Sequence, residues 1–142
     1  MAVESSAEAT WRGDLADGSG TVRVASGSIP EQALTWRARA VSRDSGTSPE
    51  ELIAAAHAGC FAMALSFGLG QAGHAPEQLD TAARVGFQAG EGITGIHLSV
   101  RGRVPGIDAA AFQQAAETAK AGCPVSKALA GVPITLDATL EG

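Results

Sequence analysis

The sequence predicts an α+β fold. Three observations carry this: strand-like segments fill the part before residue 42, a long apolar run with helical end signals follows, and the remainder reads strand, strand, helix, helix, strand. A doubly wound parallel sheet would alternate strands and helices throughout, which this order does not. At 142 residues the chain is the length of one domain, expected to cover residues 1–142.

Each element has its own justification. Residues 9–14 read as a short strand and residues 17–20, Asp-Gly-Ser-Gly, as a hairpin turn leading to a second strand at 21–26. Residues 34–41 alternate, with Leu34, Trp36, Ala38 and Ala40 on one face and Thr35, Arg37, Arg39 and Val41 on the other, which is the period of a third strand. Ser48-Pro49-Glu50-Glu51 then opens a helix. Ser48 suits the N-cap, Pro49 the first helical position, and Glu51 stands three residues after the cap as a capping box requires. The helix is expected to run to about Gln71 and end near Gly73. Between Leu52 and Leu69 its clearly polar residues are His57 and Ser66, so it should be enclosed on every side. A membrane span is the rival reading of this run. Its Ala and Gly content, its central His57, its lack of flanking Lys or Arg and its start on two glutamates favour a core helix.

Strands follow at 79–87 and 93–104, joined through Gly90-Glu91-Gly92. Pro105-Gly106-Ile107-Asp108 forms a turn whose Asp108 caps a helix from about 109 to 121, with Phe112, Ala115, Ala116 and Ala119 as its apolar stripe. Cys123-Pro124 starts a second short helix, and residues 132–140 form the last strand.

Composition narrows the functional classes. Apolar residues make up 45% and charged residues 18%, which excludes disorder for the body of the chain. The net charge is −5 and the ten Lys and Arg are scattered, so neither a nucleic-acid footprint nor a basic membrane-binding stretch is present. The N-terminus carries acids where a secretory signal has bases, which predicts a cytoplasmic protein. Aromatic residues are only 4% and glycines number 18, so a partner subunit is expected to supply part of the burial.

Two cysteines remain as candidates for chemistry. Cys60 lies in the middle of the long helix, where a buried small hydrophobe is the ordinary reading. Cys123 precedes Pro124 at a helix start, where backbone N–H groups favour a thiolate. Three arrangements are open: a peroxidatic and resolving pair, a metal site with His57, or a fixed disulfide. The last conflicts with a reducing compartment. His57 and Cys60 share a helix face, but no CxxC or HExxH spacing accompanies them, so neither a metal nor another cofactor is called for. His74 and His97, in a turn and a strand, read as solvated or core residues.

The segment TSPEELIAAAHAGCFAMALS at 47–66 is similar to the central helix of the osmotically inducible protein C (OsmC) family, sister to the organic hydroperoxide resistance proteins. KAGCPVSKAL at 120–129 resembles the second cysteine motif of that family. WRGD at 11–14, VPGID at 104–108 and ITLD at 134–137 also fit, so the resemblance covers nearly the whole chain. It implies a cysteine-based peroxidase that prefers organic hydroperoxides, built as an intertwined homodimer with two central helices flanked by antiparallel sheets. By the same resemblance Cys60 is peroxidatic, Cys123 resolving, and Glu50 the catalytic glutamate. The family arginine on the third strand matches Arg39, with Arg37 two residues away as the alternative. The implied reductant is an external dithiol of the dihydrolipoyl kind.

The residues support such chemistry on physical grounds. Cys60 is too deep in its helix to feel the N-terminal dipole, and apolar walls raise a thiol pKa, so a permanent cation must favour its thiolate. A buried strand arginine needs a carboxylate, and Glu50, expected to be exposed on the first helical turn, would orient it. Arg37 and Arg39 lie opposite the apolar strand face, so that face must meet a helix or a partner chain, which predicts a dimer from alternation alone. Phe61, Met63, Phe67 and Phe112 are expected to line an apolar pocket or to be plain core. His57, one turn from Cys60, reads as packing. The rival functions are a dimer that binds small apolar ligands or lipid without catalysis, and a structural dimer with incidental cysteines.

Overall fold

The computed structural model describes residues 1–42 and 46–142. The chain divides into two compact units, Met1–Leu52 and Ile53–Gly142.

The first unit is a three-stranded antiparallel sheet in the order β1 (Ala7–Arg12), β2 (Ser19–Val24) and β3 (Gln32–Leu34). β1 and β2 form a hairpin from Ala7↔Val24 to Arg12↔Ser19, and β3 pairs with β2 from Gly20↔Leu34 to Val22↔Gln32. The hairpin loop is therefore earlier than residues 17–20, and the Trp11 indole N–H closes it by donating to the carbonyls of Gly13 and Asp14.

The expected third strand at 34–41 is corrected. The strand stops at Leu34, and Trp36–Ala40 form a short helix, α1. Thr35 caps it, its hydroxyl accepting from the Ala38 N–H at 3.0 Å. This cap satisfies one of the orphan donors of the first turn, and Arg and Ala are good helix formers. Arg37 and Arg39 thus lie on a helix, and the alternation that predicted a dimer loses its basis. After residue 46, Thr47 donates its N–H to the Ala33 carbonyl at 2.9 Å, which ties the start of the next element to β3.

That element is α2 (Pro49–Gln71), and its start is the expected one. The Glu51 N–H donates to Ser48 Oγ at 3.0 Å, while the Glu51 carboxylate accepts from the Thr47 hydroxyl. The helix ends as the sequence predicts, with Gly73 at a φ of +86° and the His74 N–H reaching back to the Leu69 carbonyl. The left-handed conformation at Gly73 carries no Cβ penalty, which is why glycine ends the helix there.

The second unit packs α2 against a three-stranded sheet of β4 (Gln78–Gln88), β5 (Gly92–Arg103) and β6 (Ile134–Leu140). β4 and β5 form an antiparallel hairpin from Gln78↔Arg103 to Gln88↔Gly92. The expectation of antiparallel sheets fails here, because β6 runs parallel to β5, from Ile96↔Ile134 to Gly102↔Leu140. The cause is the crossover: α3 (Ala109–Gly122) and α4 (Pro124–Ala128) carry the chain back to the same end of the sheet. Asp108 caps α3 as expected, accepting from the Ala111 N–H at 2.8 Å.

The core of this unit joins Phe61, Leu65 and Leu69 of α2 to Ile96, Leu98 and Val100 of β5 and to Phe112, Ala116 and Ala119 of α3. The three α2 residues recur every fourth position and so form a single stripe. The enclosure expected for α2 does not hold within one chain: Met63 is 75% exposed and Phe67 68%. Of the four residues proposed for a pocket or core, Phe61 and Phe112 are core, while Met63 and Phe67 face outward. By length and composition α2 is also apolar enough to cross a membrane. Its stripe packs instead against β5 and α3.

Candidate active site

The two cysteines, 63 residues apart in sequence, meet. Cys123 Sγ lies 2.8 Å from Cys60 Sγ, both as free thiols. α2 positions Cys60 one residue before the buried Phe61, which anchors that turn to the core. Cys123 sits where α3 hands over to α4: its N–H closes α3 by donating to the Ala119 carbonyl, and Pro124 at the first position of α4 breaks the helix there. Cys123 is wholly buried, whereas Cys60 retains partial exposure.

The neighbours treat the two sulfurs differently. Burial pushes the Cys60 thiol up, and the adjoining Cys123 sulfur raises it further, with only the Val125 N–H opposing. Burial pushes Cys123 up too, but the Cys60 thiol, the N–H and hydroxyl of Ser126 and the N–H of Val125 outweigh it and hold Cys123 low. Within this unit, then, nothing favours the Cys60 thiolate enough to overcome burial.

His57 and Ser126 complete this cluster, although the sequence reads His57 as packing and gives Ser126 no role. His57 Nε2 lies 2.7 Å from Ser126 Oγ, and both residues are buried. Burial lowers the His57 pKa, so the ring is neutral at pH 7. The legible signal is a pair of matched spacings: His57 stands three residues before Cys60 and Ser126 three after Cys123, one helical turn in each case.

In the first unit Arg39 Nε donates to both Glu50 oxygens, at 2.6 and 3.2 Å. The structure thus joins the two residues that the resemblance paired. Their burial reverses the expectation: Glu50 is 1% exposed while Arg39 is 35% exposed. His97 bonds Thr135 and Asp137 across β5 and β6, at the surface. Among the described residues no cluster of His, Cys, Asp and Glu is arranged to hold a metal.

A buried thiol held against a second, partly exposed thiol defines a two-cysteine redox protein. Comparison with known proteins narrows this class. Residues 42–137 match the OsmC-like protein family, and the chain belongs to that family. It is 46% identical over 144 residues to the peroxiredoxin OsmC of Escherichia coli, with 99% of each chain covered. Its fold is also that of an OsmC-like protein from Mycoplasma pneumoniae (TM-score 0.74, 17% identity, all of both chains covered). The organic hydroperoxide resistance protein OhrB of Bacillus subtilis shares it as well (TM-score 0.63, 23% identity, 96% of this chain and 98% of that one).

Proposed function

We propose that this chain, as one OsmC-like domain over residues 1–142, is a thiol peroxidase that reduces organic hydroperoxides to alcohols and hydrogen peroxide less efficiently. The observation that carries the reading is the 2.8 Å approach of two free thiols from distant segments. Its supports are the 46% identity to a peroxiredoxin and the partial exposure of one sulfur only.

Exposure supports the roles. A hydroperoxide reaches Cys60 and not the buried Cys123. The Cys60 thiolate attacks the distal peroxide oxygen, the O–O bond breaks, and the alkoxide leaves as the alcohol after taking a proton. Cys60 is left as the sulfenic acid. Cys123 then attacks that sulfur, the S–O bond breaks, water leaves, and the Cys60–Cys123 disulfide remains. The sulfurs are already in contact, so closure needs no rearrangement of the elements that carry them. An external dithiol of the dihydrolipoyl type returns both thiols.

Cys60 needs help to ionise, since burial pushes its thiol up. We assign that help to the Arg39 guanidinium, which Glu50 holds by two hydrogen bonds. The same charge stabilises the departing oxygen. The working unit is a homodimer in a reducing, cytoplasmic compartment, where a redox-active pair rests as thiols.

Thiol titration after one equivalent of cumene hydroperoxide tests the reading. Two thiols per chain should disappear and an intramolecular disulfide appear. Cys60→Ser should abolish peroxide consumption, while Cys123→Ser should complete one oxidation and stop at the sulfenic acid. Thiols that survive the peroxide would favour a binder of small apolar ligands instead. Equal loss of the first turnover in both variants would overturn the roles.

A further inference from the structure

We propose that His57 and Ser126 form a directional hydrogen-bond relay that aims the Ser126 hydroxyl proton at the Cys123 sulfur and so readies Cys123 as a thiolate. Its use in disulfide closure rests on the peroxidase reading above.

His57 Nδ1 is buried without a partner, the one such side-chain atom among the described residues. A neutral imidazole carries its proton on one nitrogen only. Were it on Nδ1, a buried N–H would go unmatched, whereas on Nε2 only a lone pair is idle, the cheaper of the two orphans. The proton therefore sits on Nε2 and donates to Ser126 Oγ at 2.7 Å. That contact occupies the serine as an acceptor and leaves its single proton to be donated elsewhere. Cys123 stands one helical turn back at the start of α4, and the Ser126 hydroxyl is among the groups that hold its thiol low.

The charged side chains of the adjoining helices are engaged elsewhere or exposed. α2 presents Cys60 and the neutral His57. On α3, Lys120 is drawn to Glu117 and to the Ile134 carbonyl, and on α4 Lys127 is exposed. The relay is a means of favouring an anion where burial alone would disfavour it.

The Cys123 thiolate attacks the sulfur of the Cys60 sulfenic acid, the S–S bond forms and the S–O bond breaks. Hydroxide leaves and becomes water with the proton that Cys123 released on ionising. One sulfur is oxidised and the other reduced to the disulfide level, and Ser126 keeps its proton throughout. Cys123 and Ser126 are catalytic residues in this step, while His57 is a positioning residue that fixes where the serine proton points.

The test reads ionisation without peroxide. In a Cys60→Ser background, Cys123 is the chain's sole thiol, and its ultraviolet thiolate absorbance gives a titration midpoint. Ser126→Ala should raise that midpoint by about one pH unit, leaving roughly tenfold less thiolate below it. His57→Leu should raise it similarly. Ser126→Thr and His57→Gln, which keep the hydroxyl and the N–H donor, should restore it. In the wild-type background Ser126→Ala and His57→Leu should accumulate sulfenic acid, trapped by dimedone, with disulfide closure slowed about tenfold. Midpoints unmoved by Ser126→Ala and His57→Leu overturn the relay, as does His57→Gln behaving like His57→Leu. A chain that shifts its midpoint as expected yet consumes no hydroperoxide supports the relay and refutes the proposed function.

Discussion

Cys60 and Cys123 illustrate what a single residue reveals and conceals. Their motifs are distinct, so both are legible as candidates, and the family resemblance pairs them. Burial distinguishes them, Cys123 being enclosed and Cys60 partly exposed, and burial belongs to the fold. Glu50 shows the limit more sharply. A glutamate on the first turn of a helix reads as exposed, yet it is almost fully buried against Arg39, because the segment before α2 is stitched back to β3 through Thr47. Ser126 is illegible for a related reason: serine near a helix start is ordinary, and only the distant His57 gives it a partner. Burial holds the folded Cys60 pKa high, and a guanidinium beside it would oppose that rise. Arg39→Ala should therefore move the alkaline midpoint of the first oxidation step upward. Attack at pH 7 should slow by about tenfold for every pH unit the midpoint climbs. Stopped-flow pH–rate profiles with an alkyl hydroperoxide check this. A profile unchanged in Arg39→Ala but displaced in Arg37→Ala would transfer the role to Arg37.

Among the elements, long segments are the most legible. α2 carries an N-cap serine, an acidic first turn and a terminal glycine, and all are realised, while the Glu51 carboxylate of the expected capping box accepts from the Thr47 hydroxyl. β4, β5 and α3 lie within a residue or two of their expected limits. The misread element is a five-residue helix. Trp36–Ala40 is too brief to display a helical period, and its alternation of large and small side chains imitates a strand. The signal that distinguishes the two is Thr35, three residues before the Ala38 amide it caps. The parallel register of β6 is hidden because a strand's sequence does not record the direction of its neighbour. Packing within β5 gives an element-scale prediction. A Cβ on Gly102 would lie 2.6 and 2.7 Å from ring carbons of Phe112 and 3.1 Å from Leu79 Cδ2. Gly102→Ala should force the α3 aromatic ring off its site and lower stability by about 1–3 kcal/mol. Chemical denaturation should show an earlier midpoint, and an unchanged one would mean that Phe112 repacks freely.

At the scale of the whole molecule, a second copy of the chain is the expected partner. A solitary chain would expose Met63 and Phe67, one helical turn apart on α2, although the rest of that helix supplies the core stripe. β1 is exposed along its whole length as well, including Trp11. Two large apolar side chains on one helix face form a surface that a second copy of the same face would cover, in the self-complementary manner of a two-fold dimer. Burying Met63 and Phe67 of both copies is worth roughly 6–12 kcal/mol before the entropy of association is subtracted. This ground for a dimer replaces the strand alternation that the structure removed. Replacing both residues by glutamate should convert the protein to a monomer of 14.2 kDa in sedimentation equilibrium. The wild-type melting temperature should rise with protein concentration, because association stabilises only the folded form, and that dependence should vanish in the double variant. If the double variant sediments as the wild type does, the interface lies elsewhere, with β1 the next surface to charge.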